Sequence, residues 1–399
     1  MKTIIQSMFR VLPAVALILL AGCEYDVAEP LWNQTHEETS VPEIIRIVPA
    51  DVAVAGTNTI MLEGVHFGDS IELNDVYFDN VEAEVVSASS TQITVRRPNL
   101  VAEACTVKVA PHDALVFASH SPYGIDPVMA YYGDFLEGTE LGAAAVDAAE
   151  NLYVFQRTSP ASVVKVTADG ERRMFNEELD RAVTDAVLAP DGSMVLLRNN
   201  RDLTKLNLQT GEEAEWIGLS KSVSYGDFDA SGNLYAGGRR SDLFVVPPDE
   251  SASQIGEWAR DEILWVRVSG NYVYLLVDIA SPDEANPDMS IWRHSIDGAG
   301  NVGARELVLN WTETGEYEAS LPYCFAATED GWLLVGTDYE HPILMVDPAT
   351  GALDVLYKDI LPSPAVALVR GNANYAYMIL GGETFNVVRI DLGSGNAPR

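Results

Sequence analysis

Five arginines occupy comparable positions in three successive segments of this 399-residue chain. Arg157 lies in FQRTS, Arg198 and Arg201 in LRNNRD, and Arg239 and Arg240 in GGRRSD, each just after an apolar run. Arginine presents a planar fork of donors that grips carboxylate, sulfate or phosphate through paired hydrogen bonds. Gly237 and Gly238 ahead of the last pair would let a ligand approach the backbone. The chemistry expected of such a set is capture of an anionic group. The alternative is that these side chains pair with nearby acids such as Asp202 and Asp242 and keep exposed turns soluble.

A second set is acidic. Asp147, Asp185, Asp227 and Asp229 fall on short strand-like segments, and carboxylates projected from several such strands toward one axis would suit a divalent cation. Asp147 and Asp229 also stand at turn corners, where an aspartate caps the backbone. Asp278, Asp283, Glu284 and Asp288 crowd one loop without the glycine-centred spacing of an EF-hand. No cofactor is expected, calcium being the one cation that loop would suit. His294 and His341 are the only histidines after residue 127, and His341 in GTDYEHPIL sits two positions from Tyr339, a ring on which a sugar face could stack. No Gly-x-Ser-x-Gly elbow, His-Glu-x-x-His helix or Cys-x-x-Cys pair occurs. No catalytic residue is therefore assigned, and the chain reads as a binder rather than an enzyme.

The elements that must position these residues are strands. After residue 127 six segments recur, AVDAAENLYVF, AVLAPDGSMVLL, DFDASGNLYAG, VRVSGNYVYLL, AATEDGWLLVG and LVRGNANYAYMI. Each pairs two short apolar strands across a tight turn, and they follow one another at about 40 residues, with one interval of about 60. The expected architecture is a six-bladed β-propeller with four strands per blade. The last unit lacks a fourth strand, and residues 130–138 precede the first unit with nothing to pair with, so that segment should close the ring as the outer strand of the last blade. A parallel α/β fold would need helices between the strands, and only FNEELDRAV approaches a helical pattern. Before residue 127 short alternating runs separated by Gly, Asn, Asp and Ser predict a β-sandwich. The fold class is all-β.

Three resemblances sharpen this reading. Residues 20–23, Leu-Ala-Gly-Cys, follow Lys2, Arg10 and an apolar run too short to span a bilayer. They resemble the bacterial lipobox, which implies a signal peptide over 1–22 and a lipid-bearing Cys23 at the head of an acidic tether over 23–40, about 55 Å long if extended. Residues 41–126 resemble the IPT/TIG immunoglobulin-like family, through Pro42, Ile44, Pro49, Gly56, Leu62, Gly64, Phe67, Gly68, Val76, Phe78 and VVSASSTQITVRRP. Residues 127–399 resemble six-bladed propellers of the NHL and SMP-30-like kind, in the Asp-x-x-Gly-Asn-Leu-Tyr turn. The SMP-30 resemblance implies a metal-dependent hydrolase or lactonase as the alternative function, although the glutamate-led motif and the Asn-Asp pair of those enzymes are missing.

A formal charge of -34 argues against nucleic acid and anionic lipid headgroups as partners. The sequence as a whole points to a lipid-anchored protein of the cell envelope, at the outer membrane or cell surface. Its propeller mouth would bind a glycan or a protein partner through Arg157, Arg198, Arg201, Arg239, Arg240, Tyr339 and His341, or serve as a scaffold in an envelope complex.

Overall fold

In residues 41–125 the alternation of apolar and polar side chains becomes two facing sheets. Glu43–Val48, Thr59–Val65, Gln92–Arg96 and Val85–Ser89 form one. Val52–Ala53, Ala118–Ile125, Ala102–Pro111, Asn74–Phe78 and Val81–Ala83 form the other. Their inner faces bury Ile44, Ile60, Leu62, Ile93 and Val95 against Val76, Phe78, Val107 and Val109. Cys105 lies in the same core and acts as a small hydrophobe; it and Cys324 are buried free thiols. The computed structural model describes residues 41–135, 138–372, 374–382 and 385–393. The leader, Cys23 and the acidic tether lie outside the described residues. Among the described residues no helix is long and apolar enough to cross a membrane.

After residue 127 the described residues form six four-stranded antiparallel sheets. Their inner strands are Leu141–Val146, Asp185–Leu188, Tyr225–Phe228, Glu262–Ser269, Pro322–Ala327 and Ala365–Arg370. Each inner strand packs beside the next, and the first also packs beside the last, so the sheets form the closed ring of a propeller. Closure comes from the N-terminal side: Met129–Tyr131 pairs with Asn386–Asp391 and supplies the sixth blade's outer strand. FNEELDRAV is not helical, because its first residues complete the outer strand Arg172–Leu179, which pairs with Ala161–Val166. Tertiary pairing overrides its weak helical pattern.

The recurring turn is built by its aspartate. Asp229 Oδ1 accepts the backbone N–H groups of Ser231 and Asn233, while Oδ2 accepts the Asn233 amide at 2.7 Å and the Tyr235 hydroxyl at 3.2 Å. Asp147 does the same for Ala149, Asn151 and Tyr153. The motif is thus a four-donor cap that binds a turn to the strand following it. Asp229→Ala is expected to lower stability by about 1–2 kcal/mol, as a shift of the urea midpoint without a change in slope.

The sandwich is fastened to the propeller by buried polar contacts. Asn58 donates to Asp354 Oδ2 at 3.1 Å and to the Val355 carbonyl at 2.9 Å, and accepts from the Tyr357 amide at 3.1 Å. The Tyr357 hydroxyl accepts from Gly56 N–H at 2.7 Å and donates to the Asp391 carbonyl at 2.6 Å. Gly56 has a φ of 88°, and a Cβ there would stand 2.9 Å from the Leu392 carbonyl, so no side chain fits this approach. Arg96 adds an ion pair with Asp354 at 2.6 Å.

Candidate functional site

Six strands can converge on one axis only if their residues there are small, and the inner strands carry Ala143, Ala144, Ala145, Ala186, Gly226, Ala326, Ala365 and Ala367. At the C-terminal ends of these strands the axis opens into a cavity of about 270 Å³ to which all six blades contribute. Its polar lining includes Asp227, Arg267, Ser269 and Arg370, set among Ala145, Ala327 and other small or aliphatic residues. The mouth lies on the face that carries the Asp147 and Asp229 turns, because those turns follow the same strand ends.

The cavity is closed at depth by an ion pair that crosses the ring. Arg267, on blade four, reaches past blade three and forks onto Asp185 of blade two, at 2.8 and 3.0 Å. Its guanidinium also donates to the Gly226 and Val266 carbonyls and lies 4.4 Å from the Trp265 ring centre. Trp265 is held by its indole N–H on the Phe325 carbonyl and packs 4.9 Å from Tyr225, so rings and an ion pair plug the channel. Asp227 accepts the Phe228 and Val268 amides at 2.9 Å each. Burial pushes its carboxyl up to about 6, against the pull of Arg267.

Asp185 and Asp227, considered as metal ligands from the sequence, do reach the axis, whereas Asp147 and Asp229 are spent on turns. Among the described residues no three Asp, Glu, His or Cys side chains gather as a metal-ligating group. The Arg267 guanidinium occupies the place on Asp185 that a cation would take. Cys324 also borders the axis, but burial pushes its thiol up to about 12, far from a nucleophilic thiolate. In the blade-four loop Asp283 is used internally, accepting from Ala285 and Asn286.

The arginines belong to the opposite face. Arg157 is ion-paired with Glu140 at 2.9 Å, and Arg239 stands 3.6 Å from Glu262. Burial raises the Tyr225 hydroxyl, Asp185 adds to that rise and Arg157 opposes it. Arg240 adopts a φ of 51° and donates its amide to the Asp261 carbonyl, which ties the hairpin to blade four. Among the described residues Asp242 pairs with no arginine; it accepts the backbone amides of Leu243, Gly256 and Trp258. Arg201 is exposed.

Arg198 needs correction as a ligand-holding residue. Its side chain is 2% exposed and committed to Glu213 at 2.6 and 2.9 Å, to Thr204 and to the Arg181 carbonyl. Burial would raise the Glu213 carboxyl, but the Arg198 bonds hold it below its ordinary value. His341 is likewise buried, with Nδ1 3.4 Å from Asp359. Tyr339 packs 4.6 Å from Tyr317 and donates to Glu316. His341 and Tyr339 both lie in the loop between Leu333–Thr337 and Ile343–Val346 and hold the segment around Tyr317 that leads into blade five; the Tyr317 hydroxyl donates to the His341 carbonyl. The two arginines that line the axial cavity, Arg267 and Arg370, lie outside the arginine set that stands out in the sequence. The signal was a lone arginine at an inner-strand end, in WVRVSG and LVRGN.

With this geometry in view, the chain can be set against known proteins. Residues 42–124 match the family model of the IPT/TIG domain. The IPT/TIG match covers the sandwich and stops short of the propeller. No curated protein matches the chain. Among solved structures, the chain is similar to an auxiliary nutrient binding protein from Bacteroides thetaiotaomicron VPI-5482. The two share 12% identity and a TM-score of 0.51 over 90% of this chain and 99% of that one. An auxiliary nutrient binding protein from Bacteroides ovatus ATCC 8483 aligns with a TM-score of 0.49 at 12% identity, over 89% of this chain and 98% of that one. A luciferin-regenerating enzyme aligns with a TM-score of 0.49 at 15% identity, over 68% of this chain and 98% of that one. The likeness to the B. thetaiotaomicron protein shows a shared fold.

Proposed function

We propose that the protein is a non-catalytic binding module of the cell envelope, held at the membrane by lipid on Cys23, with the axial cavity as its ligand site. The reading rests on one observation, a cavity of about 270 Å³ reached by all six blades and floored by the Arg267–Asp185 pair. That volume suits one small polar molecule, near the lower end of ligand sites. Asp227 and Arg370 offer an acceptor and a donor fork, and the small residues between them leave room for an uncharged body. The overall charge of -34 disfavours anions. The ligand class that fits is a neutral, hydroxyl-rich molecule such as a sugar residue of a glycan. A solved protein named for auxiliary nutrient binding has this fold.

The test is binding of the purified protein to neutral and uronate-bearing glycans at low and high salt. Salt-insensitive binding of neutral glycans, weakened at least tenfold by Ala327→Trp, is the expected result. Salt-sensitive binding of uronates that disappears in Arg239→Ala/Arg240→Ala would move the site to the arginine face. Stoichiometric metal that survives dialysis would favour the SMP-30-like hydrolase, and a blank array with a co-purifying protein the scaffold.

Asp227 adds a pH signature. Its carboxyl titrates at about 6 in the folded protein, so a ligand hydroxyl meets an ionised acceptor above that value and a neutral acid below it. Affinity is expected to rise several-fold from pH 5 to pH 7, and Asp227→Asn should flatten the profile. The linkage to stability has the opposite sense. A carboxyl raised on folding favours the folded state most at low pH, and that contribution declines as pH climbs from about 4 to about 6. Glu213, lowered on folding, contributes stability that is lost as pH falls through its folded value.

A further inference from the structure

We propose that the hairpin tip formed by Leu115, Val116 and Phe117 inserts into the surface of the lipid bilayer that carries the protein's anchor. The inference rests on the lipid anchor at Cys23 proposed above. The three side chains are consecutive and 77%, 50% and 58% exposed, on the turn between Ala102–Pro111 and Ala118–Ile125. Scattered apolar residues on a surface are ordinary, but three in a row at a protruding turn form a patch. None of the three belongs to the sandwich core, and the Lys108 ammonium stands 5.8 Å from the Phe117 ring.

The position of the tip points to its partner. The Val41 carbonyl accepts from His66 Nδ1, Gly68 N–H donates to the Asn74 side chain, Asn74 pairs with Pro111, and His112 N–H donates to the Leu73 carbonyl. The chain therefore enters the sandwich at the end where the tip projects. Val41 and Ile71, 67% and 42% exposed, lie at this end too. The residues that hold the propeller, Gly56, Asn58 and Arg96, lie at the other end. The residues between Cys23 and Val41 span about 55 Å at most when extended. A leash of that length keeps the tip near its own bilayer at an effective concentration on the order of millimolar.

Three side chains fall well short of the roughly 800 Å² per partner of a stable protein interface. They are enough to dip into a bilayer surface when a lipid anchor already supplies the affinity, since each transfers favourably from water. Asp113 stands two residues before the tip and Asp75 lies 3.2 Å from His112 Nε2, against Lys108 at the Phe117 ring, in a chain of charge -34. Attraction to anionic lipid is thus not the driving force, and the contact is apolar and insensitive to salt. Its consequence is orientation, with the sandwich standing on the bilayer and the propeller at the far end.

The test uses the full lipidated chain in phosphatidylcholine vesicles, with an environment-sensitive probe on Val116→Cys or, as a control on the propeller, Lys221→Cys. Cys105 and Cys324 are buried and do not compete for the label. Acyl-chain nitroxide lipids are expected to quench the Val116 probe at least fivefold more strongly than the control, equally at low and high salt. Leu115→Ser/Phe117→Ser should abolish the difference while the melting temperature is retained. Equal, weak quenching on vesicles that float with the protein overturns the docked tip and leaves the anchor standing. Protein that stays behind when vesicles float overturns the anchor, and the docked tip with it. Protection of the probe only in native envelope vesicles assigns the tip to a protein partner and overturns the lipid assignment.

Discussion

Arg267→Leu is expected to lower the unfolding free energy by about 3–5 kcal/mol, the usual effect of removing one partner from a buried ion pair. Asp185 is 2% exposed at its side chain, and Arg267 supplies both of its charged contacts. Without the guanidinium, Asp185 keeps the Ala186 and Gly226 amides as its donors among the described residues. The carboxylate must then stay charged in a poor solvent or take up a proton. Urea unfolding of the single variant should show the loss in full, and loss of less than about 1 kcal/mol would falsify the pair's role. Asp185→Leu/Arg267→Met should recover most of it, because a buried pair replaced whole by apolar groups is often neutral. The same pair floors the cavity, so the double variant should fold and yet bind ligand differently.

Asn58→Ala should uncouple the sandwich from the propeller. The amide makes three bonds across the seam, and truncation strands the Tyr357 amide and the Val355 carbonyl in a buried place. A cost of about 2–3 kcal/mol falls on the interface rather than on either core. The expected calorimetric result is a single transition in the parent chain that divides into two in the variant. A variant that still melts in one step, shifted by less than a degree, would show that the seam does not couple the two parts. Gly56 sharpens the comparison, since Gly56→Ala must push against the Leu392 carbonyl and Gly393 backbone at the same seam.

Much of the architecture was legible in local chemistry. Asp147 with Asn151 and Tyr153, and Asp229 with Asn233 and Tyr235, announced a repeated turn, and the structure shows why those residues recur. The missing fourth strand of the last unit required a segment from upstream, and Met129–Tyr131 supplies it. Such features depend on residues within a few positions of one another, or on counting strands, so they can be read along the chain.

The site was less legible because it is assembled across blades. Arginines in turns draw attention by their charge, but Arg198 spends its charge on Glu213, fifteen residues away, and is buried by doing so. Arg267 looked like one polar residue in an apolar strand, and its partner Asp185 is 82 residues distant. His341, placed among the ligand-holding residues by its neighbour Tyr339, is buried near Asp359 of the next connection. The sequence by itself determined the all-β class, the turn chemistry, the sandwich pattern and the order of the blades, since these follow from local periodicity and short-range hydrogen bonding. Only the tertiary structure decided which charges are free, which face of the ring holds a cavity and how the sandwich is docked. Those properties depend on which distant groups meet in a low-dielectric interior, where a charge is either matched or costly, and that matching is set by closure of the ring.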